Sequence, residues 1–190
     1  MDIGGSYSAT YGRSEMDDWF AIRVNANCER RVTDALEGKG FESFFPQCWQ
    51  YRNWGKRVRK VERALFPGYV FGRFVPHERL PILTIPGVTY IVGTSAGPMP
   101  IDQDELAAIR RIAESSALAE PCPYLAQGSI VSLDEGPLRG LRGRLVSSGH
   151  DLRVVVSITL LQRSVSVMVD RRWVHPIGER EWDCRAQAAV

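Results

Sequence analysis

The chain has 190 residues, 44% of them hydrophobic, with 24 Lys and Arg against 22 Asp and Glu and a formal net charge of +2. That length and apolar content suit one large or two small domains with a real core, and exclude a wholly disordered chain. The near balance of charge excludes a protein that coats nucleic acid through its overall field, so local clusters carry the electrostatic information.

The opening MDIGGSYSATYGRSEMDD lacks a cationic stretch followed by an apolar core, so no signal peptide is expected. Residues 1–17 read as a disordered leader of a cytoplasmic protein. No apolar run approaches the roughly 18 residues that span a bilayer, so no membrane partner is expected. DWFAIRVN alternates as a strand, with Phe20, Ile22 and Val24 on one side and Trp19, Ala21 and Arg23 on the other. NCERRVTDALEGKG then sets Cys28, Val32, Ala35 and Leu36 on one helical face, with Asn27 as N-cap and Gly38 or Gly40 as the stop.

FESFFPQCWQ, a cationic run and ALFPGYVFGRFV predict two or three strands around a long hairpin. YVFGRFV is apolar on both faces, as a central strand would be. In FPGY, Pro67 and Gly68 fit the second and third positions of a type II turn, which brings Phe66 and Tyr69 together. HERLPILTIPGV predicts a short helix closed by Pro86-Gly87, and TYIVG a strand. PIDQDELAAIRRIAES predicts a helix capped by Asp102, with Glu105 completing a capping box.

Two prolines and small residues in SSALAEPCPYLA make 115–126 the expected linker. Beyond it, GSIVSL, RGRLVSS, LRVVVSI, SVSVMV and RWVHPI are five short strand-like segments, as in a small SH3-like barrel. The expected class is α+β: an N-terminal α/β sandwich, an antiparallel sheet with flanking helices, over 18–114, then the linker, a barrel over 127–177 and a tail over 178–190.

Residues 52–63 hold Arg52, Lys56, Arg57, Arg59, Lys60 and Arg63 against Glu62 alone. They fit a hairpin lying on a phosphate backbone, or equally an edge kept basic against strand pairing. GPLRGLRG matches neither phosphate-loop spacing and precedes a strand, so its glycines read as turn glycines. Cys28, Cys48, Cys122 and Cys184 form no C-x-x-C pair and His77, His150 and His175 stand apart, so reduced thiols are expected and no metal or cofactor is assigned. No nucleophile or paired-carboxylate motif appears, and the chain does not read as an enzyme. Phe66 and Tyr69 are core aromatics on one reading and a shallow exposed pocket on the other; the residues alone favour core.

WFAIRV, LFPGYVF, IPGVTYIVGTSAGPMPIDQDELAAI and GSIVSLDEGPLRGLRGRL, in this order over residues 18–177, resemble the NusG family of transcription elongation factors. The resemblance makes the C-terminal unit a KOW barrel. It implies that the first domain docks on the clamp helices of the RNA polymerase largest subunit through an apolar pocket of Phe66, Pro67 and Tyr69, with Trp19 and Ile91 beside it. It makes Lys56, Arg57, Arg59 and Lys60 candidates for contact with upstream or non-template DNA. The general factor has a Phe-Gly pair in a KOW turn that contacts Rho or a ribosomal protein. Here the stretch is SITLLQRSVSV, closer to specialised antiterminators of polysaccharide operons, and Leu160, Leu161 and Arg163 would form the altered contact. The expected protein is thus a monomeric, operon-specific antiterminator. The rivals are a housekeeping factor and a KOW-type RNA-binding module.

Overall fold

The computed structural model describes residues 18–54, 57–115, 117–124, 128–148 and 151–178. The alternation in DWFAIRV becomes β1 (Asp18–Val24). After it come α1 (Glu29–Gly38), β2 (Glu42–Phe44), β3 (Gln47–Trp54), β4 (Arg57–Ala64), β5 (Tyr69–Phe74), α2 (Arg79–Leu83) and β6 (Val88–Ile91). A small hairpin of β7 (Gly93–Thr94) and β8 (Gly97–Pro98) leads to α3 (Gln103–Glu114).

Strands β2, β5, β1 and β6 form an antiparallel sheet in that order. The two central strands are therefore β5 and β1, which is why both alternate faces of YVFGRF are apolar. On one face Phe20, Ile22, Val24, Val70 and Phe74 pack against Val32 and Leu36 of α1 and Ile82 of α2. The Phe20 and Phe74 rings lie 4.6 Å apart. On the other face Ala21 and Phe71 join a cluster with Leu106, Ile109 and Ile112 of α3.

Two expected caps behave differently. Asn27 takes φ 62, a left-handed conformation that Asn tolerates and an N-cap does not use, so the N-cap of α1 is Cys28, without a side-chain cap bond. Gly40, at φ 85, ends the helix, and Phe41 N donates to Leu36 O at 3.0 Å. At α3 the Asp102 carboxylate accepts from Asp104 N at 2.9 Å and Glu105 N at 3.0 Å, as expected. Glu105 turns away instead of closing the box, and accepts from the backbone N and the Oγ1 of Thr159, the latter at 2.6 Å.

The five segments of the C-terminal half become β10 (Ser129–Leu133), β11 (Arg142–Ser148), β12 (Asp151–Ile158), β13 (Arg163–Val169) and β14 (Val174–Pro176). The stretch expected as linker contains a further strand, β9 (Ala119–Pro123), which pairs antiparallel with β13. Proline lacks an N–H but is tolerated on an edge strand, so Pro121 and Pro123 interrupt the pattern of the sequence without preventing the strand. The sheet runs β14-β10-β11-β12-β13-β9, and among the described residues no ladder joins β9 to β14, so its ladders are open where a closed barrel was expected. Gly136 and Gly140 both take φ 80, and Gly140 N donates to Leu133 O at 2.6 Å, so the glycine-rich stretch is a turn.

The two halves share one apolar cluster. Val154, Val156, Ile158 and Val165 belong to the same cluster as the α3 face, Phe66 and Phe71. Cys48 Sγ and Gln50 Nε2 of β3 both donate to Ala119 O of β9, each at 3.1 Å. Burial raises the Cys48 and Cys122 thiols above their ordinary range, so both stay protonated thiols.

Candidate docking face

The FPGY turn forms as its composition demands. Tyr69 N donates to Phe66 O at 3.1 Å, and Gly68 has φ 81, the left-handed value that the third position of a type II turn requires. A Cβ on Gly68 would also meet Arg23 Nη1 at 2.5 Å, so a side chain there would push the end of Arg23 aside. Pro67 is exposed at the bend.

The two aromatics of the turn part company. Phe66 is only 1% exposed, edge-to-face with Phe71 at 5.8 Å between ring centroids. Its expected place in an open pocket is therefore corrected: burying the whole ring on the α3 side gives the larger apolar gain, and the core reading holds for Phe66. Tyr69 is half-buried, and the Arg23 guanidinium lies 4.8 Å from its ring centroid.

Register decides what stands beside Tyr69. Arg23 is paired with Tyr69 of β5 on one side and with Tyr90 of β6 on the other. Directly paired residues share a face, so Tyr69, Arg23 and Tyr90 form a row across three strands. Tyr90 is 48% exposed. Ile91, expected beside the turn, is paired with Ile22 and packs in the cluster under α1 and α2, so it lies on the opposite face. The alternation in VTYI separates the two residues, and only the β1–β6 register says which of them joins Tyr69. Trp19 does share Tyr69's face, but Arg110 of α3 covers it at 4.4 Å and also covers Phe44 at 4.7 Å.

The basic hairpin divides in a similar way. Arg57 and Arg59 are two apart on β4, so they share a face, and both are exposed. Lys60 holds the intervening position, paired with Tyr51. Lys56 lies outside the described residues. In the turn after β12, Leu161 is 8% exposed and Leu160 packs against the shared cluster, while Arg163 is exposed. Leu161 is thus a core residue and not a surface contact in this arrangement, because Glu105 holds Thr159 and draws the turn onto α3.

Among the described residues, no group of three His, Cys, Asp or Glu could hold a metal ion, and no helix is long and apolar enough to cross a membrane.

The family profile described as transcription termination factor nusG matches residues 17–110. The transcription termination/antitermination protein NusG of Escherichia coli (strain K12) is 30% identical over 166 residues, covering 80% of this chain and 92% of that one. Its namesake from Thermus thermophilus is 28% identical over 178 residues, covering 80% and 95%. A solved structure of Thermotoga maritima NusG superposes with a TM-score of 0.55 at 23% identity, covering 85% of this chain and 97% of that one, which shows a common fold. With the sheet, the turn and most of its length matched, the chain belongs to the NusG family of transcription termination/antitermination proteins.

Proposed function

We propose that the protein binds RNA polymerase at the clamp helices of its largest subunit through the Tyr69–Arg23–Tyr90 row, with Pro67 at the rim and Trp19 nearby, and so suppresses pausing and termination. The observation that carries this reading is the row itself: two partly exposed tyrosines flank a cation that, among the described residues, has no carboxylate within ion-pair distance. Tyr and Arg dominate interface energetics, and side chains held on paired strands lose little freedom on binding. Phe66 supports the turn from inside. Binding the closed clamp better than the open one shifts a population, and no bond is made or broken. Tyr69→Ala and Tyr90→Ala are each expected to weaken binding to bacterial RNA polymerase by about tenfold or more. Unchanged affinity in both variants would end this reading.

Arg57 and Arg59 form the part of the hairpin best placed for phosphate contact with upstream or non-template DNA, with Lys56 and Lys60 as the flanking candidates. Reversing these charges is expected to weaken pause suppression while polymerase binding stays measurable; unchanged elongation on a paused template would remove the hairpin's role.

Within the family, the finer reading is an operon-specific antiterminator of cytoplasmic transcription, acting on polysaccharide-type operons, with the second half as its KOW module. It is supported by SITLLQRSVSV, which lacks the Phe-Gly pair, and by the inward packing of Leu160 and Leu161, which leaves Arg163 as the accessible one of these three residues. The names of the relatives favour the alternative, a general factor. Binding assays with Rho and with the ribosomal partner separate the two, because strong Rho binding assigns the general role.

A further inference from the structure

We propose that Glu29 is a positioning residue for the docking face, setting the orientation of the turn that presents Tyr69; this rests on the reading that the face binds polymerase. Glu29 opens α1 and is 8% exposed, and it is the charged residue among the buried polar residues described, which also include Ser164 and Ser166. Its Oε1 accepts from Gly68 N at 2.8 Å.

That amide is the one whose direction defines the turn. Types I and II differ by a flip of the central peptide, here the bond between Pro67 and Gly68. The turn's own hydrogen bond joins Tyr69 N to Phe66 O and leaves the Gly68 N–H without a partner inside the turn. Gly68 is buried, so an unmatched N–H there would be costly. The Glu29 carboxylate supplies the acceptor from the first turn of a helix, where a negative charge is favoured. The Gly68 carbonyl is held in its turn by Val24 N at 2.9 Å. With both polar groups of Gly68 fixed, Arg23 lies across the bare glycine and over the Tyr69 ring. A flipped peptide would change the path into β5 and the platform on which Arg23 rests. Glu29 therefore acts on the face through Gly68, without touching a partner.

The experiment compares the full chain with Glu29→Gln, Glu29→Met, Tyr69→Ala and the Glu29→Met/Tyr69→Ala double variant, measuring affinity for bacterial RNA polymerase core enzyme and amide exchange at Gly68. Gln keeps an acceptor oxygen at nearly the same reach; Met keeps the length, removes the acceptor and suits a buried site. Glu29→Gln is expected to bind like wild type with Gly68 still protected. Glu29→Met is expected to bind about tenfold more weakly, with Gly68 exchanging about tenfold faster. The double variant should bind no more weakly than Tyr69→Ala, because both changes disable one device. Wild-type binding by Glu29→Met alongside a weakened Tyr69→Ala would overturn the positioning role and leave the docking face standing, as would equal losses in the Gln and Met variants. Wild-type binding by Tyr69→Ala together with Tyr90→Ala would remove the docking face, and this role with it.

Discussion

A buried ring and a half-buried ring three residues apart make different demands on experiment. Phe66→Ala opens a cavity in a sealed site and is expected to cost about 3–5 kcal/mol, read by urea unfolding, so loss of polymerase binding in that variant reports damaged protein. Tyr69→Ala removes a half-buried ring and should leave stability far closer to wild type, which makes it the cleaner probe of contact. Gly68→Ala forces a side chain onto φ 81 and shifts the end of Arg23 away from the Tyr69 ring; the backbone strain is expected to destabilise by about 1–3 kcal/mol, seen as a lowered melting temperature. Much at this scale was legible in the sequence. The alternation of Trp19 to Val24, the Pro-Gly turn and the Asp102 cap follow from local chemistry. Tyr90 was not legible, because its neighbour Arg23 is set by a strand pairing between residues 67 positions apart.

Between elements, the contact of α3 with the turn after β12 turns on Glu105. Burial, the largest influence, raises its carboxyl above the usual 4.5, with hydrogen bonds from Thr159 acting against the rise and Asp102 adding to it. A raised acid favours the folded arrangement in its protonated form. The stability it contributes is complete below the ordinary carboxylate range and is lost as pH rises through the raised value. Resistance to urea unfolding is therefore expected to fall as pH rises above the ordinary carboxylate range, and Glu105→Gln should flatten that dependence; an unchanged profile would contradict the assignment. The strand β9 is the element that sequence reasoning lost. Prolines within a short stretch signal a break wherever both edges of a strand must pair, and β9 pairs on the β13 side alone.

Over the whole molecule, one apolar cluster crosses from the first sheet to the second. Heating is expected to give a single cooperative transition by calorimetry, with matching calorimetric and van't Hoff enthalpies, whereas two resolved transitions would show that the halves unfold independently. Separate domains were the natural expectation from composition, since the change from mixed α/β pattern to short strands is sharp and the contacts that join the halves are far apart in sequence. The hairpin's charge belongs to this scale as well. Replacing Arg57 and Arg59 by Gln is expected to lower the slope of log affinity for DNA against log salt by about 1.4–1.8, measured on the polymerase-bound factor.

The root of that hairpin has a mechanical consequence. A single carbonyl, Ala119 O, takes hydrogen bonds from both Cys48 and Gln50. A nucleic acid strand that levers the arginine-bearing arm sideways must either snap both links together or drag β9 along, and β9 in turn pulls on the ladder it shares with β13.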